Sequence, residues 1–217
     1  YVAAWRQFCV RFDEGRMRLN TTEEWRNLAQ NMGNLNNPYY RFLDVLADEL
    51  QPVIPATEDP VAWVKLAFWF RLIKAKAAQD EDAQKKKSSS ILSDAAQAGK
   101  SLFESGDGGA AAPKSMADFK NIKKASERFK EFLDALSQVV PGTASPGMSF
   151  KMLSEFFAQD PGAAGGSPVY TADAALVKAK SILSTGGKDE DIFWDLFSGP
   201  LYFLLDYAIF ESACELQ

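Results

Sequence analysis

The segment Gly142-Thr143-Ala144-Ser145-Pro146-Gly147-Met148-Ser149 has the spacing of the phosphate-binding loop G-x-x-x-x-G-K-[ST], with Met148 where the lysine belongs. That lysine supplies the positive charge that meets the terminal phosphates, and the loop has to leave a strand. Here it follows a helical pattern, so it reads as a helix-to-helix connection. Lys114 and Lys188 also follow glycine-rich stretches but lack the two spaced glycines. Two acidic pairs, Asp44 with Asp48 and Asp189 with Asp191, could hold a hard cation or transfer protons. Neither lies in a metal-loop pattern. The first pair fits the wet side of a helix, and Asp189-Glu190-Asp191 fits a helix start, where negative charge is favourable. Histidine is absent, which removes Ser-His-Asp and Cys-His nucleophile systems and every His-containing metal site. The two cysteines, Cys9 and Cys214, read either as a disulfide joining the first and last helices or as two buried free thiols. No catalytic residue, metal or cofactor is expected.

The elements that would carry these residues are helical. Val2 to about Met17 predicts a first helix with Val2, Trp5, Phe8, Cys9 and Phe12 on one stripe. Thr21 with Glu24 forms a capping box ahead of Trp25 and Leu28, closed by Gly33. Asn37-Pro38 opens a third helix with Phe42, Leu43, Leu46 and Leu50 on its buried side. Asp59-Pro60 opens a fourth, to about Ala78, with Trp63, Leu66, Ala67, Phe70 and Ile73 as its densest face. Met116 to about Val140 keeps a helical period through Phe119, Ile122, Phe129, Phe132 and Leu136, and Met148 to about Ala158 adds Phe150, Leu153, Phe156 and Phe157. Pro168-Val169-Tyr170 reads as a short extended piece before a helix from Thr171 to about Ser184. In the last stretch, Ser198-Gly199 reads as a break and Pro200 as the first turn of a helix buried on more than one face, through Leu201, Leu204, Leu205, Ala208 and Ile209 on one side and Tyr202, Phe203, Tyr207 and Phe210 on the other.

No stretch alternates with period two. The chain is predicted to be all-α, a bundle or orthogonal array of about eight helices forming one domain over 1–217, with a mobile charged and glycine-rich insert at 80–115. Within that insert, Lys85-Lys86-Lys87 has fewer charges than the 4–8 of anionic-lipid clusters. The 47% hydrophobic content supports a core, and the longest apolar run, Val61 to Ile73, is interrupted by Lys65 and Arg71 and falls short of the roughly 20 residues that cross a bilayer. Beginning at Tyr1 and stopping inside a helical pattern at Gln217, the chain is expected to be a piece of a longer protein. A net charge of −5 argues against nucleic acid as a partner. The charge is uneven: 13 basic against eight acidic residues between Arg71 and Lys130, and seven acidic with no basic from Asp189 onward. Such asymmetry suits complementary faces.

Asn37-Pro38-Tyr39-Tyr40-Arg41-Phe42-Leu43-Asp44-Val45-Leu46-Ala47-Asp48-Glu49-Leu50 resembles the S-P-L-x-x-L-L-x-x-v-a-x-E-T-x-L segment of the IcmF/TssM family, the large inner-membrane subunit of type VI secretion systems. Phe119 to Leu136 is similar to that family's F-x-x-L-x-x-Y-x-x-x-L-x-x-L helix, and the alanine-rich Ala172 to Leu183 and the tail Leu196 to Gln217 follow in the same order. Asn37 stands for the usual Ser, the Thr is missing, and the insert has no counterpart. The resemblance implies a non-enzymatic scaffold: a periplasmic segment of an inner-membrane protein, contacting an outer-membrane lipoprotein and inner-membrane subunits of the complex, and self-associating in the full-length protein. It makes Lys120, Lys123 and Lys124, and Asp189, Glu190 and Asp191, candidate contact surfaces. The competing expectation is a ligand-binding helical protein whose aromatics around Trp63, Phe70, Trp194 and Tyr202 enclose an apolar pocket.

Overall fold

The computed structural model describes residues 1–53, 60–85, 115–158 and 167–215. Among them are eight α-helices and no strand: α1 (Val2–Val10), α2 (Thr22–Asn31), α3 (Pro38–Leu50), α4 (Ala62–Lys85), α5 (Met116–Val139), α6 (Pro146–Ala158), α7 (Pro168–Leu183) and α8 (Glu190–Glu215), with 3-10 turns at Phe12–Arg18, Gln51–Val53 and Val140–Thr143. The chain is therefore all-α, as its periodicity predicts. Residues 86–114, most of the expected insert, lie outside the described residues. Its first part does not leave the helix, since α4 continues through Lys85.

Local chemistry sets the starts of the helices. Thr21 Oγ1 accepts from the Glu24 amide while the Glu24 carboxylate accepts from the Thr21 amide, and Ser115 and Asp118 repeat this box ahead of α5. Asn37 is buried and does more than cap. Its Oδ1 accepts from the Tyr40 amide at 3.0 Å, and its Nδ2 donates to the carbonyls of Met32 and Asn34 at 3.2 and 2.9 Å. One side chain thus ties the end of α2 to the start of α3.

The core is centred on aromatic rings from four helices. Tyr40 of α3, Phe70 of α4, Phe129 of α5 and Phe197 of α8 are fully or almost fully buried, with ring centroids 5.2 to 6.0 Å apart. Several meet edge to face, the arrangement that the ring quadrupole favours. The Tyr40 hydroxyl donates to the Phe197 carbonyl at 3.3 Å, so this buried phenol is satisfied. Around this centre α5 lies along α7, where Ala172, Ala175 and Ala179 let the helices approach, and α6 lies along α8. Asp44 pairs with Lys74 at 2.5 Å and Asp48 with Arg71 at 2.8 Å, so the acidic pair of α3 fastens it to α4.

Three expectations are corrected. Pro168 is the first residue of α7, not part of an extended piece. The first helix ends at Val10, and the chain then tightens into a 3-10 turn as Phe12 stacks on Phe42 at 4.4 Å and Asp13 accepts from the Tyr39 hydroxyl at 2.5 Å. Of its expected stripe only Cys9 is buried. Most informative is α8, which runs unbroken from Glu190 to Glu215 with Pro200 inside it. Proline removes one N–H from the ladder and crowds the carbonyl four residues back, at a cost of about 3 kcal/mol. Every residue from Leu196 to Leu201 is buried, so packing on both sides of the proline offsets that cost. Gly199 beside it makes a notch: a Cβ there would lie 2.2 Å from the Tyr39 ring. Outside the core, Tyr202, Ile209 and Phe210 are exposed, while Phe203 and Tyr207 are buried.

Candidate functional site

The three acidic residues at the start of α8 are not one surface. Gly186 at φ 67° and Asp189 at φ 65° turn the chain between α7 and α8, and the turn folds around the Glu190 carboxylate. Glu190 accepts from Ser184 Oγ at 2.7 Å, from the Thr185 amide at 2.6 Å and hydroxyl, and from the Gly187 amide at 3.2 Å. It is only 6% exposed. Burial pushes its pKa up, but these donors overcome that and hold it at about 2. A carboxylate spent in this way is internal structure rather than contact surface. Asp189 is held by Arg6 at 3.0 Å, and hydrogen bonding to that guanidinium lowers its pKa. Asp191 alone faces solvent, with Lys180 at 3.5 Å.

The basic candidates share one face of a helix. Lys120, Lys123 and Lys124 lie at three- and four-residue steps on the outer side of α5, and all three are exposed. None of them has an ion-pair partner among the described residues, whereas Arg128 on the same helix is paired with Glu131. The inner side of α5, through Ile122, Ala125, Phe129, Phe132 and Leu136, is buried.

The remaining sequence candidates are structural. The loop-like segment from Gly142 to Ser149 joins α5 to α6 through the 3-10 turn, and Ser149 Oγ donates to the Gly142 carbonyl at 3.2 Å. Phe70, expected to line a pocket, is enclosed by the rings of Tyr40, Phe129, Phe193 and Phe197. Tyr202 stands apart from that centre, 53% exposed, beside a small cavity of about 280 Å³ next to Cys9 and Tyr39. Cys9 is a free, buried thiol, and burial pushes its pKa up to about 12, so it is no nucleophile at neutral pH. The Cys214 side chain lies outside the described residues. No group of three potential metal ligands occurs among the described residues, and no helix there is long and apolar enough to cross a membrane.

One feature has no clear signal in the sequence. The arm formed by α1 and the following 3-10 turn stands off α2 and leaves a groove of about 1100 Å³. Leu28 and the buried Met32 and Phe203 border it, and Arg6, Arg11, Arg16 and Arg18 line it with Asp13 and Glu14. Arg16 reaches Asp13 at 3.0 Å and Asp206 at 2.5 Å, and Arg11 reaches Glu14 at 2.8 Å. Arg18 has no ion-pair partner among the described residues. The spacing of these arginines, at positions 6, 11, 16 and 18, follows no helical period, which is why a search for charged helix faces passes over them. Comparison with known proteins finds no matching family model, curated protein or solved structure.

Proposed function

We propose that this chain is a non-enzymatic scaffold module of a bacterial type VI secretion membrane complex, working on the periplasmic side through protein–protein contacts. The observation that carries the reading is the exposed set Lys120, Lys123 and Lys124, without an ion-pair partner among the described residues, on a helix whose other face is packed. A protein whose centre is filled by its own side chains, with a cationic helix face left open, is suited to contact rather than to turnover. The resemblance of Asn37 to Leu50 and of the segments after it supplies the identity of the assembly. The contacts in view are an outer-membrane lipoprotein, inner-membrane subunits and further copies of the parent protein.

The test is co-purification of the chain with envelope proteins of the source cell. Recovery of a lipoprotein and a small inner-membrane partner is expected, together with reduced recovery when Lys120, Lys123 and Lys124 are all changed to Gln. Recovery of neither partner overturns the secretion reading. Undiminished recovery by the triple variant removes the α5 face from the contact. The thermal midpoint of that variant should stay within about 1–2 °C of the parent chain, since exposed substitutions away from special features change stability by about 0.5 kcal/mol or less.

A further inference from the structure

We infer that the cavity between the N-terminal arm, α3 and α8 is a binding site for a small organic ammonium ion. The inference goes beyond the secretion reading and does not rest on it. The cavity holds about 280 Å³, just under the range of about 300–1000 Å³ that receives drug-sized ligands. Filled at the packing density of a protein interior, about 0.74, it takes a molecule of roughly ten non-hydrogen atoms.

Its lining joins aromatic rings to carboxylates. Phe12, Tyr39 and Tyr202 supply the rings, and Ile192 and Leu196 an apolar wall. An ammonium within about 6 Å of a ring is attracted by the ring quadrupole, and its hydrocarbon part gains from the apolar wall. The two carboxylates of the lining differ. Asp13 is already used: one oxygen accepts from the Tyr39 hydroxyl at 2.5 Å, and the other meets Arg16 at 3.0 Å. Asp195 has no ion-pair partner among the described residues, so it is the carboxylate that an incoming cation would meet.

Charge selects a cation even when every internal pair is counted. No lysine or arginine is among the lining residues. Around the cavity Arg6 with Asp189, Arg11 with Glu14 and Lys180 with Asp191 cancel. Arg16 is shared by Asp13 and Asp206, so with Asp195 three carboxylates stand against one guanidinium, a surplus of two negative charges. The state of Asp195 agrees with this count. Burial, and after it the charge of Asp191, raises its pKa, and Lys180 opposes them only in part. An ammonium beside the carboxylate would offset that cost. An anionic ligand would add to the surplus, and a neutral one would leave Asp195 unmatched.

The experiment titrates the folded chain with 2-phenylethylamine, protonated at neutral pH, and with its uncharged isostere 2-phenylethanol. Calorimetry gives the affinities, and nuclear Overhauser contacts from the bound amine give its place. The amine is expected to bind at least about tenfold tighter than the alcohol, with contacts to the Tyr39 and Tyr202 rings. Asp195→Asn should abolish that preference, and Tyr202→Ala should weaken the amine about threefold. Both variants should keep the thermal midpoint of the parent chain, since Asp195 has no partner to lose and Tyr202 is 53% exposed. No detectable binding of the amine, equal affinity for amine and alcohol, a preference that survives Asp195→Asn, or contacts to rings elsewhere in the chain would overturn the inference.

Discussion

Replacing Glu190 with Gln tests whether the α7–α8 turn is built around a charge. The carboxylate accepts from two hydroxyls and two amides, and its pKa lies at about 2 instead of the ordinary 4.5. At about 1.4 kcal/mol for each tenfold change, that difference corresponds to roughly 3 kcal/mol of folding free energy. The folded pKa is depressed, so this stability is present above pH 4.5 and drains away as the pH falls toward 2. Glutamine keeps the shape but removes the charge and turns an N–H₂ toward groups that are themselves donors. At pH 7 the substitution should therefore cost about 2–3 kcal/mol in urea unfolding, or about 5–10 °C in midpoint for a domain of this size. The two proteins should converge as the pH is lowered from 4.5 toward 2, because the parent chain then loses the same charge. Other carboxylates titrate in both and cancel in the difference. Equal stability at pH 7, or a difference that does not change with pH, would refute the argument.

The other predictions concern packing. Gly199→Ala places a methyl 2.2 Å from the Tyr39 ring and should destabilise by about 1–3 kcal/mol despite better helix propensity, whereas Gly147→Ala in α6, with no atom within 4 Å of the new Cβ, should stabilise by up to about 1 kcal/mol; thermal melts of both decide it. Asn37→Ser keeps an N-cap but takes the side-chain donor from the Met32 carbonyl and leaves the Asn34 carbonyl only the backbone amide of residue 37, and should cost about 1–3 kcal/mol in denaturant titration. Tyr207→Phe removes the hydroxyl that donates to buried Glu211 at 2.8 Å and should cost a similar amount. In a Cys214→Ser background Cys9 should react with a thiol reagent at pH 8 only after denaturant is added, since on the order of one part in ten thousand is thiolate there; rapid reaction in the folded protein would contradict its burial.

Much of the fold was legible because its signals are local. The Thr21–Glu24 capping box, Asn37-Pro38 and the three- and four-residue recurrence of large apolar residues place α2, α3 and α5 to within a residue or two. Where the sequence misled, a tertiary contact outweighed the local rule. Gly199-Pro200 has the composition of a break, yet Tyr39 packs where a Cβ is missing and the burial around Pro200 keeps α8 whole. Periodicity also counts apolar residues without saying how many faces have a neighbour, so Phe8, Phe150 and Phe157 read like core residues and lie exposed. The lysines of α5 were visible because they share a helix face. The acidic triplet does open α8, as its charge implies, but charge in a sequence does not show which donors will surround it, and Glu190 turned inward instead of joining a contact surface. The groove depends on how an irregular arm stands off α2, and no spacing of residues encodes that.

The ties of this arm bear on how the chain is made. Arg6 bonds Asp189 across 183 residues and Arg16 bonds Asp206 across 190. At synthesis rates of about 5–20 residues per second, roughly 10 to 40 seconds separate the two halves of each tie. During that interval Phe12 can already meet Tyr39 and Phe42, a short distance along the chain, and Arg11 and Arg16 can meet Glu14 and Asp13, but Arg6 still lacks Asp189 and Arg16 still lacks Asp206. The arm's aromatic contacts with α3 and its own short-range ion pairs are thus within reach early, whereas its ties to Asp189 and Asp206 wait until α8 has left the ribosome.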